Sequence, residues 1–395
     1  MGGQVISLVI FSLIVVIILI DIVPICKDWI LRIHIGRYKD KNEWNKSITT
    51  IGVKWLNNTP KVKLTDNTRL VVLDMLRGNY TRSAIQHWQE ASLVLGISEY
   101  LKYNEDKDMK NQIIKFLNSK FDEYGQWKDK PQYIDGAMLA YAVMKLEFLE
   151  IDKYKKALDY IWEIIKKHIG EDDTVQYRNH MKSYRYVDTI GFICPFLVLY
   201  GTKYNKDECL ELAVKQIEEY EKHGFLDRHH IPCHAYKLED KIPLGVYGWG
   251  RGIGWFAIGI IDGWNELTVN HKYKQIFEKS VTKFADAVIS FQQDNGSWNW
   301  TVTRSECRAD SSTTAILGWF MLNASKIESI SKKSLVSADK AMKYLMRVTR
   351  KNGAVDFSQG DTKDIGVYSS LFNILPFTQG FCIRCINLFE NYKEV

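Results

Sequence analysis

Apolar residues recur at helical spacing along almost the whole chain after residue 40. The stretches AMLAYAVMKLEFLE and IFEKSVTKFADAVISF place them at i, i+3, i+4 and i+7, which is the pattern of one buried helix face. The strict alternation that is typical of a half-buried strand is scarce. The helical period and its breakers predict about twelve helices, near 42–58, 81–101, 108–124, 133–149, 151–169, 184–202, 206–224, 250–267, 271–293, 310–324, 334–350 and 367–392.

Twelve helices in a chain of 395 residues suggest six helical hairpins. Closed into a ring in which inner and outer helices alternate, the hairpins would form an (α/α)6 barrel, an all-α fold. No clear sequence repeat supports the ring, so the pattern alone also allows an open helical solenoid. We predict that the barrel occupies residues 41–395 as one domain.

The first 40 residues have a different pattern. From Val5 to Ile25 the chain is apolar apart from two serines and Asp21. A helix of ~21 residues at ~1.5 Å each is about 31 Å long, close to the thickness of the hydrocarbon core of a bilayer. A cleaved signal peptide normally begins with basic residues and ends at a small-residue cleavage site, and neither is present. We therefore predict a single-pass anchor within residues 1–40 and the lipid bilayer as its partner, with a buried core helix as the weaker alternative.

Basic residues flank this segment on one side only. None lies before it, and five follow it: Lys27, Arg32, Arg37, Lys39 and Lys41. The positive-inside rule then places the body of the protein in the cytoplasm. The seven cysteines are odd in number and scattered, which fits reduced thiols better than a disulfide framework. Cys382 and Cys385 form a C-x-x-C pair inside an apolar run, and we interpret them as packing residues of a helix, with no metal site.

Composition narrows the classes of function. The apolar content of 46% is ample for a core, and the charged content of 25% argues against disorder. The net charge of +6 comes from basic residues that are spread along the chain, which argues against nucleic-acid binding but permits an anionic substrate. The 12 Trp and 21 Tyr would suit stacking on sugars, but such rings also fill cores, so composition alone does not choose between these roles.

Two aspartates stand at the starts of strongly apolar helices. Asp135, in PQYIDGAML, directly precedes its helix, and on the sequence alone a helix N-cap is the favoured interpretation. Asp188, in YRYVDTIGF, lies inside an apolar run. Burial there would raise its pKa, as a general acid requires, whereas a helix N-terminus would lower it. The sequence does not fix the balance.

The stretch YGWGRGIGWF places two large rings and a cation on a glycine-rich backbone just before an apolar helix. Arg251 has the geometry to bind a carboxylate through two parallel hydrogen bonds, and Trp249 and Trp255 would wall a pocket. Gly250 and Gly252 would let a ligand approach the backbone closely. The alternative is a turn between two helices in which the tryptophans pack on both sides.

Two further polar signals are weaker. His234 precedes the glycine-rich stretch, and a lone histidine is more often structural than catalytic. Asp310, in RADSSTTAILGW, is followed by two serines, a group typical of a capped helix start. All of these signals fall in loops or at the starts of predicted inner helices.

Six motifs follow one another along the chain: YIDGAML, YVDTIGFICPFLVLYG, HAY, WGRGIGWFAIGIID, DSSTTA and FTQGFCIRCINL. Together they resemble the unsaturated rhamnogalacturonyl hydrolases of glycoside hydrolase family 105, and the related unsaturated glucuronyl hydrolases of family 88, over about residues 80–392. The resemblance implies an (α/α)6 barrel, in agreement with the helix count. It also implies an anionic oligosaccharide substrate with a 4,5-unsaturated uronic acid at its non-reducing end, and no cofactor.

The resemblance also assigns roles to residues. It makes Asp188 the acid that protonates C4 of the unsaturated sugar and activates the water that adds at C5. It makes Asp135 a neighbouring carboxyl group that binds sugar and tunes Asp188. Seven other residues are expected to contact the substrate: His234, Trp249, Arg251, Trp255, Trp88, Arg178 and Tyr186.

The chain departs from the family pattern at two positions. Ile253 stands where the family usually has Asn, and Lys237 follows HAY where Asp is common. Losing both polar groups leaves the choice of sugar open. Two alternatives also stay open: another (α/α)6 carbohydrate enzyme, such as a polysaccharide lyase, an inverting hydrolase or an unsaturated glucuronyl hydrolase, and a non-catalytic membrane-tethered sugar-binding protein.

Overall fold

The computed structural model describes residues 2–60, 65–78 and 86–392. Within them the chain forms fourteen α-helices: α1 (Gly2–Arg32), α2 (Lys41–Asn57), α3 (Val71–Leu76), α4 (His87–Tyr103), α5 (Lys107–Lys120), α6 (Gly136–Met144), α7 (Lys155–Lys167), α8 (Asp188–Tyr204), α9 (Asp207–Gly224), α10 (Gly250–Glu266), α11 (Lys274–Ile289), α12 (Ser311–Ala324), α13 (Ser331–Arg347) and α14 (Pro376–Glu390).

Seven short strands join the helices at their ends: β1 (Tyr184–Tyr186), β2 (Phe225–Leu226), β3 (Ile231–Pro232), β4 (Ala235–Lys237), β5 (Pro243–Leu244), β6 (Ser358–Gln359) and β7 (Phe372–Asn373). They form three small sheets, β1–β4–β5, β2–β3 and β6–β7, and every pairing is antiparallel. The strands therefore fix loops, while the helices supply the core.

The inner ring of the barrel consists of α4, α6, α8, α10, α12 and α14. Each of them packs against the next, and α14 packs against α4, which closes the ring. All fourteen residues of α12 are buried, as expected of a helix that is covered on both sides. The outer helices α2, α5, α7, α9, α11 and α13 each bury one face only, as α5 does with Ile113, Phe116 and Leu117. The predicted (α/α)6 barrel is confirmed, and closure excludes the open solenoid.

Some helix boundaries differ from the prediction. The last segment, predicted from residue 367, begins at Pro376, because proline suits the first turn of a helix and its ring disfavours a helical residue before it. Residues 184–186 form β1 rather than the start of a helix. The predicted helix at 81–101 begins at His87, and its first five predicted residues lie outside the described part of the chain.

The helix α1 buries none of its residues. Its length and apolar composition suit a membrane span, and a signal sequence near an N-terminus has the same properties. Its last turns contact the barrel: Arg32 donates Nε–H to Asp356 Oδ2 at 2.6 Å, and Arg350 donates to the same oxygen at 2.6 Å. Arg350 Nη1 also lies 3.2 Å from Asp28 Oδ1. The end of α1 is thus held on the barrel by a cluster of charged groups.

The seven cysteines are all free thiols. Cys382 and Cys385 are fully buried on α14 and belong to the hydrophobic core. Their interpretation as packing residues is therefore confirmed.

Candidate active site

One end of the barrel gathers the predicted site residues. The inner helices alternate with antiparallel outer helices, so all inner helices run in the same direction and their N-terminal ends lie together. Asp135 directly precedes α6, Asp188 is the first residue of α8, and Trp249 and Arg251 lie at the start of α10.

The pairing of β1 with β4 places His234 beside Asp188. Tyr186 is in register with Ala235, and the Val187 N–H donates to the His234 carbonyl at 3.1 Å. Because of this register, the side chains of His234 and Asp188 face each other, and His234 Nε2 lies 3.7 Å from Asp188 Oδ2. Two residues far apart in sequence are therefore brought together by a three-residue strand.

Asp188 is a buried carboxyl group without a full set of partners. Its side chain retains little exposure, and Oδ2 has no hydrogen-bond partner within the described part of the chain. Burial raises the pKa of Asp188 to about 7, against the opposing effects of its own backbone N–H, Arg251 and Arg178. The increase in pKa that burial causes is thus larger than the decrease caused by the helix N-terminus, a balance that the sequence did not fix. A carboxyl group in this state is partly protonated at neutral pH and can act as an acid.

His234 is held neutral. Burial and the nearby Arg251 lower the pKa of His234 to about 4. Tyr368 lies 3.3 Å from His234 Nδ1, and the same hydroxyl accepts a hydrogen bond from the Val246 N–H at 2.9 Å. When the Tyr368 hydroxyl donates to Nδ1, the ring carries its hydrogen on Nε2, which faces Asp188.

Asp135 is buried, but its carboxylate accepts no capping hydrogen bond from α6. The N-cap interpretation was therefore wrong: the residue already has helical backbone angles (φ −63°, ψ −19°), whereas a capping residue is normally extended. Burial raises the pKa of Tyr177 above its usual range, and the charges of Asp188 and Asp135 raise it further, against the opposing charge of Arg178.

The guanidinium of Arg251 is buried and bound to the protein itself. Nη1 donates to the Gln359 carbonyl at 2.7 Å, and Nη2 donates to the Gly360 carbonyl at 2.6 Å. Asp361 lies close by, with Oδ1 3.9 Å from Nη2. Trp249 binds the same segment, donating Nε1–H to Gln359 Oε1 at 3.2 Å. The two parallel donors expected to receive a substrate carboxylate are thus engaged by the loop that follows β6.

The glycines beside Arg251 serve packing between protein segments. A Cβ at Gly250 would overlap Thr313 Oγ1 of α12. A Cβ at Gly252 would lie 2.7 Å from the Trp249 ring and 3.0 Å from the Val187 side chain. The expectation that these glycines admit a ligand was wrong, because neighbouring helices and loops fill the space.

Arg178 has different surroundings from Arg251. Its guanidinium carbon lies 4.2 Å from the centre of the Tyr133 ring and 4.1 Å from that of Tyr177. It is half-buried, and among the described residues its side chain hydrogen-bonds only to Tyr177, at 3.0 Å to the carbonyl and 3.4 Å to the hydroxyl. Arg178 thus uses two of its five N–H donors, and because it is partly exposed, unlike Arg251, the remaining donors can reach a ligand.

Aromatic rings pack beneath these polar groups. The Trp88 and Trp255 rings meet edge to face at 5.5 Å between centres, and each lies 4.9 Å from Phe377. Both tryptophans are almost fully buried, so they form the base of the site. Tyr186 lies nearer the polar groups, with its ring centre 4.9 Å from Tyr177 and 5.7 Å from His234.

Four residues near the predicted site were not identified from the sequence: Tyr177, Gln359, Asp361 and Tyr368. Tyr177 directly precedes Arg178 and could have been found there. Gln359 is the last residue of β6, and Asp361 and Tyr368 belong to the β6–β7 loop, part of which was assigned to the last helix. Gly366, which has φ +78°, and Pro376 were the available signals of a loop in this region.

Asp310 connects this loop to the barrel. It caps α12 as predicted, accepting from the Ser312 and Thr313 N–H groups. Its Oδ1 also accepts from the Gln359 N–H at 2.9 Å. One buried carboxylate therefore fixes both a helix start and the segment that binds Arg251.

The two departures from the family pattern lie in different surroundings. Ile253 is fully buried in the core. Lys237 bonds Glu239 and Asp240, with Nζ–oxygen distances of 3.0 and 3.1 Å. Lys237 is thus engaged in ion pairs at the surface.

The fold is shared with solved carbohydrate enzymes. A structure described as a possible member of family GH105 from Klebsiella pneumoniae has a TM-score of 0.75 and 15% identity, covering 89% of this chain and 93% of that chain. A similar protein from Salmonella enterica serovar Paratyphi A has a TM-score of 0.74 and 15% identity, with coverages of 90% and 96%. The unsaturated glucuronyl hydrolase of Bacillus sp. GL1 has a TM-score of 0.66 and 11% identity, with coverages of 89% and 97%.

At these identities the likeness of structure establishes the fold, and the sequence establishes the family. No curated protein sequence is significantly similar to this chain. The family model of Glycosyl Hydrolase Family 88, however, matches residues 62–383, which include Asp135, Asp188, His234 and Arg251. The chain therefore belongs to glycosyl hydrolase family 88 and is a glycoside hydrolase.

Proposed function

We propose that this enzyme releases a 4,5-unsaturated uronic acid from the non-reducing end of oligosaccharides that a lyase has produced from rhamnogalacturonan-type polymers. The observation that carries the proposal is the state of Asp188: a buried carboxyl group with a pKa raised to about 7, an oxygen that no described residue hydrogen-bonds, and a neutral histidine beside it. Hydration of a vinyl ether needs such an acid, because the first step is protonation of carbon.

In the first step, the Asp188 carboxyl group would transfer its proton to C4, and the C4=C5 electron pair would form the new C–H bond. The resulting cation at C5 is stabilised by the ring oxygen. The Asp188 carboxylate would then take a proton from a water molecule while the oxygen of that water adds to C5. The hemiketal opens as the bond between C5 and the ring oxygen breaks: the C5 hydroxyl loses its proton and becomes a ketone, and the ring oxygen gains a proton and becomes the hydroxyl of a hemiacetal at C1. The hemiacetal then forms an aldehyde at C1, and the remaining sugar takes the released proton and leaves as an alcohol.

The two arginines would contribute differently to binding. Arg178 keeps hydrogen-bond donors and lies between two aromatic rings, so it would bind the uronate carboxylate. Arg251 would hold the loop after β6 in place while its charge faces the same site. Asp135 would bind sugar hydroxyls, and His234, Tyr186, Trp249, Trp88 and Trp255 would shape the pocket.

The location of the enzyme is also proposed. The charged contacts of Asp28 and Arg32 with the barrel favour a helix that stays attached to the folded body. α1 would then be a retained anchor of residues 1–40 ahead of a catalytic domain at 41–395. The basic residues that follow the apolar run favour a cytoplasmic catalytic domain.

The test is a substrate panel for the full-length protein in detergent. It contains an unsaturated rhamnogalacturonan disaccharide, an unsaturated glycosaminoglycan disaccharide, the saturated counterpart of each and the intact polymers. Loss of the ultraviolet absorbance of the double bond reports hydration, and we expect it with the unsaturated disaccharides, fastest with the first. A rise in absorbance on intact polymer would identify a lyase instead, and binding without turnover would identify a sugar-binding protein.

A further inference from the structure

The segment around the short helix α3 presents three leucine side chains outward, while Val71 is buried. Leu70, just before the helix, is 55% exposed, Leu73 is 44% exposed and Leu76 is 80% exposed. Their spacing of three residues places them along one side of the segment. Three neighbouring leucines that the other described residues leave exposed are unusual at a surface that only water covers.

The polar residue of α3 points the other way. Asp74 is buried, and its Oδ2 accepts from the Thr65 hydroxyl at 2.7 Å and from the Asn67 amide at 2.6 Å. An amphipathic helix on a water-exposed surface buries its apolar side chains and exposes its polar ones. α3 has the opposite arrangement, since Asp74 is buried and the leucines are exposed. Such an arrangement suits a helix whose outer side is in contact with lipid.

Contacts with α1 fix the position of α3. Asp21 accepts from the Leu70 N–H at 2.6 Å and from the Val71 N–H at 2.9 Å. Asp21 is also the first charged residue along α1 and lies just before Ile25, so in an α1 that crosses a bilayer it is within about 6 Å of the end of the apolar run. α3 consequently begins close to the boundary between the acyl chains and the headgroups.

We propose that α3 is a second membrane-contacting element, which lies in the boundary between headgroups and acyl chains with its leucine side inserted. The proposal rests on the membrane anchor proposed above, whose surface it continues. Two exposed basic residues, Arg69 and Arg77, flank the leucines and would meet the phosphates of anionic lipids. Trp29, which is 67% exposed on α1 just beyond the apolar run, is of a residue type enriched at membrane interfaces.

This contact would set the orientation of the active site. Asp66, five residues before α3, accepts from the Ser369 hydroxyl at 2.6 Å and pairs with Lys363 at 3.4 Å. Both partners belong to the β6–β7 loop, which binds Arg251 and carries Tyr368. A lipid-bound α3 would therefore hold the mouth of the barrel beside the membrane.

The test places one environment-sensitive fluorophore at a time on the full-length protein in vesicles of phosphatidylcholine and phosphatidylglycerol. Exposed Cys26 is first replaced by serine, together with Cys307, and the dye is then attached to Leu76→Cys, Ile14→Cys or Val269→Cys. Val269 is the matched control, since it is an apolar residue with 85% exposure on the loop before α11. Nitroxide groups on the lipids, either at the headgroup or deep in the acyl chain, act as quenchers.

We expect headgroup-level nitroxide to lower the emission at position 76 at least about twofold and to leave position 269 unchanged. Deep nitroxide should quench position 14. If position 14 is quenched while position 76 behaves like position 269, α1 is inserted and the proposal for α3 is wrong. If position 14 is not quenched either, the anchor itself fails. A third outcome is blue-shifted emission at position 76 in detergent, together with emission in vesicles that the lipid nitroxides do not quench. It would show that a protein covers the leucines, which also overturns the proposal.

Discussion

Asp188 and Asp262 are both buried inside the barrel, on the adjacent inner helices α8 and α10, but they have different surroundings. Asp262 Oδ2 accepts from Arg384 Nη1 at 2.7 Å, and its Oδ1 accepts from Trp319 Nε1 at 2.9 Å. The Arg384 guanidinium lies 3.8 Å from the centre of the Trp319 ring. Asp188 has an oxygen that no residue in the described part of the chain hydrogen-bonds, a neutral histidine at 3.7 Å and a raised pKa.

The difference shows that burial alone does not determine what a carboxyl group does. A buried carboxylate whose oxygens are filled by a cation and an N–H donor stays charged and ties helices together. A buried carboxyl group that lacks these partners holds its proton more tightly and can deliver it. In this barrel, Asp262 would stabilise the fold, and Asp188 would take part in the reaction.

The largest expected effect is the loss of turnover in Asp188→Asn. The amide keeps the size of the side chain but cannot donate a proton as a carboxylic acid does, so kcat should fall about 10²–10⁴-fold. Binding of the unsaturated disaccharide, measured by calorimetry, should change far less. Turnover close to the wild-type rate in a folded variant would remove Asp188 from the mechanism.

Asp262→Asn should instead reduce stability. Removing one partner of a buried ion pair leaves the Arg384 charge uncompensated, so urea unfolding should show a loss of about 3–5 kcal/mol. Asp286→Asn is the control, because Asp286 pairs with Lys333 at the surface, and its loss should change stability by less than about 1 kcal/mol. Equal effects of the two substitutions would contradict a structural role for Asp262.

The stability of the folded protein should depend on pH through the buried carboxyl group of Asp188. Burial raises the pKa of Asp188 to about 7, so the folded protein keeps a proton that the unfolded chain releases near pH ~4. Wild-type stability should therefore fall as the pH rises from about 4 through about 7, relative to Asp188→Asn, which has no proton to lose. We expect the two proteins to differ little at about pH 4, and the variant to be more stable by up to about 4 kcal/mol at about pH 8.5. A constant difference across this range would show that the Asp188 pKa is not raised.

Smaller effects should distinguish the two arginines. Arg178→Lys keeps the charge but loses the planar pair of donors, which should raise KM by an amount worth about 1.5–3 kcal/mol for a uronate substrate. Most of that loss should vanish when the substrate carboxylate is amidated.

Arg251→Lys should lower the melting temperature and impair both substrates alike, because it releases the carbonyls of Gln359 and Gly360. The reverse pattern would assign the carboxylate to Arg251.

The barrel could be predicted from the sequence because apolar spacing reports burial directly. Almost fully apolar segments such as those of α6 and α12 become inner helices, and one-sided segments such as that of α7 become outer ones. The position of Asp188 at a buried helix start followed from the same pattern. Its pKa did not, since that depends on which groups the rest of the fold brings near it.

The remaining parts of the site depend on contacts between distant segments. Tyr368 reaches His234 from a loop without periodicity, 134 positions along the chain, and local propensity does not detect such a contact. Asp135 has the sequence of a cap, but the direction of its side chain is set by the fold. Arg251 resembled a free binding group because the partners of its guanidinium, Gln359 and Gly360, lie in that same distant loop.

The crowding around Gly250 has a consequence for how this enzyme can diverge. A methyl group at that position would already collide with Thr313 of α12, so the start of α10 cannot take a larger residue there without moving its neighbour. The β6–β7 loop is built differently, because Asp364 and Val367 are exposed and can be exchanged without disturbing the core. Inherited changes in sugar preference would accumulate in this loop, while the start of α10 beneath it would stay the same.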